Sequence, residues 1–289
     1  MRWQDRRQSD NVEDRRNERM SPAGIGGLGA LGLGLLMRGG SKGLLVLIVL
    51  FIGLKACGYD PVRLFFGDGM LTQTSSKIEN QSSTPVNDER TRFVSTVLAS
   101  TEDTWSKIFT EKGAHYTAPD LVLFRNAVRS DCGTASSAAG PFYCPADRRI
   151  YLDETFFDQL ARQFGAPGEA AQAYVIAHEV GHHVQNLTGG LSGQRQENEA
   201  SVRTELQADC YAGIWAHYAA RQGMFETDDI NIALNAAHKI GDDTLQQRTQ
   251  GYAVPDSFTH GTAEQRAAWF KRGFDSGAIS ACNTVNDDI

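Results

Sequence analysis

"AYVIAHEVGHHVQN", residues 173–186, sets three histidines and a glutamate into an otherwise apolar stretch. The longer run around it opens with Pro167 and ends on Gly189-Gly190, the punctuation of one long helix. Residues four apart on a helix share a face, so His178 and His182 project their imidazoles together, at a separation that one metal ion bridges. Glu179 points just off that face, within reach of a water on the metal rather than the metal itself. This is the HExxH arrangement, in which the imidazoles bind zinc and the glutamate acts as general base. Tyr174, Val175, Ile176, Val180 and Val184 make the surroundings apolar, and ionisable groups buried there need a compensating partner.

Working outward, "TELQADC" places Glu205 and Asp209 four apart on the next predicted helix, Glu197 to Gln222. Glu205 completes a His, His, Glu set with one position open, the catalytic rather than the closed structural arrangement. Asp209 is then free to accept the outer ring N–H of His178 and fix its tautomer. Spacing alone leaves two alternatives open. In one, Asp209 is the ligand; in the other, both acids are solvated charges on a surface helix. His183 faces another direction and is assigned no metal role, while His217 and His238 sit at surface-like helical positions and His115 beside a loop.

The rest of the chain supports an α+β domain at 88–289. Its 41% hydrophobic and 22% charged residues are ordinary for a globular protein, and a formal net charge of −7 offers no basic footprint for nucleic acid. Helical spacing from Phe93 to Phe109 predicts a helix at 88–112, "LVLFRNAV" (121–128) and "RRIYLD" (148–153) read as strands, and "TFFDQLARQFG" as a helix closing on Gly165. Further helices are expected at 227–248 and 262–275. The expected architecture is mostly helical, with a small antiparallel sheet.

Residues 1–42, first alternating Arg with Asp and Glu and then dominated by Gly, are expected to be disordered. "GLLVLIVLFIGL" (43–54) carries no charge and, extended to Tyr59, reaches about 17 residues, the low end for a membrane span. A buried helix or a cleaved signal peptide are the alternatives, and the long leader argues against the latter. With Arg38 and Lys42 before the run, the expectation is a single-pass anchor at 43–59, N-terminus cytoplasmic, then a polar linker at 60–87 and an exported domain held at the membrane, which for a bacterial chain of the kind named below is the inner membrane. In that compartment Cys132 with Cys144, bracketing a small-residue loop, and Cys210 with Cys282, by elimination, are expected disulfides; four buried free thiols are the alternative.

"GPFYCPADRRIYLDETFF", "FGAPGEAAQAYVIAHEVGHHVQNLTG", "SVRTELQADCYAGIWA" and "VPDSFTHGTAEQRAAWF" together resemble the membrane-anchored kind of bacterial neutral zinc metallopeptidase, from about residue 88 to 282. The HExxH and ExxxD layout is also similar to the gluzincins. The resemblance implies a zincin-like fold, one zinc ion per chain held by His178, His182 and Glu205, with Asp209 in support, and Glu179 as the base that activates water against a peptide carbonyl. It also implies a late His or Tyr as oxyanion donor, for which His260 is the first candidate and Tyr252 the second. Zincins hold peptide backbone against an edge strand, a place that "RRIYLD" or "LVLFRNAV" would fill. A catalytically silent zinc-stabilised binding or chaperone-like module at the membrane is the competing expectation.

Overall fold

Residues 1–18, 88–190, 198–226 and 228–284 are described in a computed structural model. Helix α1, Glu89–Glu111, starts where the Asp88 side chain accepts the Thr91 backbone N–H at 2.7 Å, and it buries Phe93, Val97, Leu98, Trp105 and Ile108. Strand β1, Val12–Asp14, precedes it. After it come β2 (Asp120–Phe124), β3 (Ala127–Ser130), β4 (Gly133–Ser136), β5 (Phe142–Cys144) and β6 (Arg149–Asp153). The helices α2 (Thr155–Arg162), α3 (Glu169–Leu187), α4 (Asn198–Arg221), α5 (Asp229–Lys239), α6 (Asp242–Gln250) and α7 (Ala263–Ser276) follow.

The main sheet runs β1-β2-β6-β5, with β1, β2 and β6 mutually parallel and only β5 antiparallel to β6. The expected small antiparallel sheet is thus a mixed one. The sequence carries the reason: "LVLF" and "IYLD" are unbroken buried runs rather than alternating ones, as in strands covered on both faces. A parallel pair needs a long connection, and the β3–β4 hairpin and β5 supply it between β2 and β6. The disulfide Cys132–Cys144 ties that hairpin to the end of β5, and Cys210–Cys282 ties α4 to the chain beyond α7, so both expected pairings are present.

The helix expected over 227–248 is broken in two. At Gly241 a Cβ would lie 2.2 Å from the backbone nitrogen of Ala263, so the start of α7 occupies the space a continuous helix would need. The proposed anchor at 43–59 and linker at 60–87 lie outside the described residues. Among those described, no helix is long and apolar enough to cross a membrane.

The largest departure is at the N-terminus, where residues 1–17 are part of the folded unit and not disordered. Strand β1 pairs in parallel with β2, Val12 opposite Leu121. Trp3 is buried, meets the Phe93 ring edge-on at 5.4 Å and donates its indole N–H to Glu169 at 2.9 Å. Arg7 reaches Glu102 and Asp103, and Arg16 reaches Asp14, Asp88 and Glu154. Several of the alternating charges that read as a solvated tail are therefore matched by partners distant in sequence. Trp3→Ala should lower stability by about 3 kcal/mol, the usual cost of truncating a buried Trp, in denaturant unfolding of the full chain. A disordered tail would leave the midpoint unmoved.

Candidate metal centre and active site

Helix α3 carries the quoted stretch through the interior, with His178 and Glu179 buried and His182 partly so. The Nε2 atom of His178 lies 3.1 Å from one Glu205 oxygen and that of His182 lies 3.4 Å from the other. All three ligand atoms fall within 4.8 Å of one another. Glu205 stands on α4, one turn before Asp209 and on the same face. Asp209 is on the far side of His178, accepting the Nδ1–H at 2.8 Å, so it supports a ligand and is not one of the set. The alternative that made it the third ligand does not hold.

What surrounds these groups fixes them. The Asp209 carboxylate also accepts from the Tyr174 hydroxyl at 2.5 Å and from two guanidinium nitrogens of Arg266, at 2.9 and 3.1 Å. Arg266, buried at the start of α7, further donates to the Ile240 carbonyl at 3.2 Å. On the other ligand, His182 Nδ1–H donates to Gln185 at 2.9 Å, and the Gln185 amide donates to Thr204 and Gln207 of α4. Both imidazoles thus have their outer nitrogens committed and their Nε2 atoms turned to Glu205. This donor set, two imidazole nitrogens and a carboxylate with restrained outer nitrogens, suits zinc.

The field of the cluster is that of a cation site. Burial alone would lower the pKa of His178, yet Asp209 and Glu205 push it up to about 10. His182 is also raised, chiefly by Glu205 against burial. Burial would raise Glu205, but the two histidines hold it well below the usual carboxylate range. For Glu179, burial wins and its pKa is raised. No protein group among the described residues hydrogen-bonds its carboxylate.

The cluster opens onto a cleft of about 510 Å³, which His178, Glu179, His182, Glu205, His260 and Arg266 line together. Phe156, Phe164, Ile240 and Leu245 give the cleft apolar wall. His260 is in this cleft, with its Nδ1 3.1 Å from Asp242 and its backbone N–H donating to the same carboxylate at 2.7 Å. Tyr252, the second candidate, is turned to solvent. His183 lies away from the cluster, hydrogen-bonded to Tyr143 and the Thr117 carbonyl, and His217 is bonded to the Phe274 carbonyl.

The two strands expected to border the cleft are interior ones, since β2 lies between β1 and β6 and β6 between β2 and β5. The edge beside the cleft is β5, whose Phe142 and Tyr143 line it. Sequence reasoning also missed Tyr174, Gln185, Asp242 and Arg266. Tyr174 is one turn before His178 and Gln185 one turn after His182, a signal available in helical spacing. Arg266 comes from a helix far along the chain and has no local signature. Arg266→Met should weaken zinc binding by about 10–100-fold, with Arg266→Lys in between, measured by competition with a chelating dye. An affinity equal to wild type would leave Arg266 a packing residue only.

Comparison with known proteins agrees with the donor set. The family described as "Putative neutral zinc metallopeptidase" matches residues 1–285. An uncharacterised Escherichia coli K12 protein, YpfJ, is 48% identical and covers 100% of this chain and 100% of its own. The uncharacterised Mycobacterium bovis protein Mb2605 and Mycobacterium tuberculosis protein Rv2575 are each 43% identical over 68% of this chain and 72% of theirs. No solved structure matches the chain. With its whole described length matched, the chain belongs to the neutral zinc metallopeptidase family.

Proposed function

We propose that this protein is a zinc-dependent peptidase with a zincin-like arrangement, hydrolysing peptide bonds in the cleft above α3. The observation that carries the reading is Glu179: a buried carboxylate in the cleft, beside the His178, His182 and Glu205 cluster, with no structural hydrogen bond to make. A purely structural metal site has no use for it.

Zinc held by His178, His182 and Glu205 would supply Lewis-acid polarisation of a peptide carbonyl and of a water. Glu179, with its pKa raised by burial, is suited to accept the proton of the attacking water and deliver it to the leaving nitrogen. His260 would donate to the developing oxyanion, with Asp242 orienting its ring. Peptide would lie along β5 by strand addition, with Phe142 and Tyr143 on the cleft side. Two disulfides favour an oxidising, extracytoplasmic compartment, and the apolar run at 43–54 favours membrane association.

Glu179→Gln should leave zinc content unchanged by metal analysis and reduce kcat/KM on a cleavable peptide by about 10²–10⁴-fold. Zinc-replete wild type that cleaves nothing in a broad peptide library would favour the silent binding module instead. Activity should also fall as pH rises through the pKa of His260, which the Asp242 hydrogen bond lifts above its ordinary value. The donor form persists above pH 6.5 and is lost only on passing that raised pKa. In Asp242→Asn the alkaline limb of the kcat/KM profile should move down toward the ordinary histidine range; an unmoved limb removes His260 from the mechanism.

A further inference from the structure

The described segments on either side of residues 19–87 meet at one guanidinium. Arg16, its side chain 2% exposed, pairs with Asp88 at 2.8 Å and with Glu154 at 2.6 Å, and donates to Thr91 at 2.7 Å. Asp88 is also the residue that caps α1. The chain therefore departs at Asn17 and resumes at Asp88 within reach of a single side chain. Upstream, β1 is hydrogen-bonded into the main sheet, and Trp3 holds Glu169, the first residue of the metal-binding helix. The metal domain is incomplete without residues 1–17.

A segment that crossed a bilayer once would leave Arg16 and Asp88 on opposite faces of a hydrocarbon layer about 30 Å thick. A 2.8 Å ion pair and a shared parallel strand register do not permit that. We infer that residues 1–17 and the metal domain lie on the same side of the membrane. The single-pass anchor with a cytoplasmic N-terminus is thereby set aside. Arg38 and Lys42 bear on the direction of a crossing, not on how many there are. Of the basic residues nearer the N-terminus, Arg2 is matched by Glu226, Arg7 by Glu102 and Asp103, and Arg15 by Glu13. The shared side follows from the fold; that it is the oxidising side rests on the compartment proposed above.

The test uses the full chain in bacterial spheroplasts, in a Cys57→Ala background, with a membrane-impermeant maleimide. Gln8→Cys and Glu111→Cys each place one thiol at an exposed position, the first in the N-terminal segment and the second at the end of α1. Both should label before permeabilisation. Labelling of one and not the other overturns the inference. If neither labels until the cells are opened, the shared side stands and the oxidising compartment falls.

Discussion

Two helices lie closer than most side chains allow where Gly181 of α3 meets Ala208 of α4. A Cβ at 181 would stand 2.8 Å from the Ala208 carbonyl oxygen and 3.0 Å from its Cα. Gly181 immediately precedes His182, and Ala208 immediately precedes Asp209, so this contact sets the separation between imidazoles and carboxylates. Glycine inside a helix costs about 1 kcal/mol relative to alanine, and here the loss is offset by an approach that lets Glu205 touch both Nε2 atoms. A helix pair held wider by one methyl group would leave Glu205 short of one histidine or the other.

With the helices that close, the balance of charge decides what the site attracts. Glu205 and Asp209 are both held ionised, and Arg266 is the fixed cation among them. The guanidinium sits behind Asp209, not in front of Glu205, so it stabilises the support without cancelling the ligand. The result is a negative potential at the two Nε2 atoms strong enough to outweigh burial, which by itself would keep both rings neutral. Removing Arg266 would leave Asp209 a buried carboxylate satisfied only by Tyr174 and His178. That is a costly arrangement for a charge, and it would loosen the very hydrogen bond that orients the ligand ring.

What could be read in the sequence was whatever a single helix encodes. His178, His182, Glu205 and Asp209 lie at one-turn spacing within two helices, and the structure brings these helices face to face. The third-ligand ambiguity resolved only in three dimensions, because spacing places Asp209 on the right face without saying which nitrogen it meets. Arg266, Asp242 and Tyr143 act on the site from elements remote in sequence, and nothing in their own neighbourhoods marks them. The sheet departs from the antiparallel expectation for a different reason: "LVLF" and "IYLD" read as strands, but whether both their faces are covered, the mark of parallel pairing, depends on elements elsewhere in the chain. At the N-terminus, composition counted charges without partners. Arg7 meets Glu102 and Asp103, and Arg16 meets Asp88 and Glu154 besides its neighbour Asp14, so most of the matching acids lie beyond residue 87.

The cleft's floor and its borders are fastened to the same helix. His183, one residue past a ligand, donates its Nε2–H to the Thr117 carbonyl and so presents Nδ1 as acceptor to the Tyr143 hydroxyl, while Asn186 donates to that same hydroxyl. This pins the edge strand β5 against α3 on the side away from the metal face. Burial lowers the pKa of His183, keeping the ring neutral and the acceptor available. On the other side, Arg266 joins the Asp209 support to the carbonyl of Ile240, which itself lines the cleft. At the start of α3, Glu169 is held by Trp3. A displacement of α3 sufficient to part His182 from Glu205 would therefore also shift the strand that would receive the peptide and the wall opposite it. Ligand geometry and cleft shape are one mechanical unit, which is why the N-terminal segment, itself not among the residues lining the cleft, bears on both.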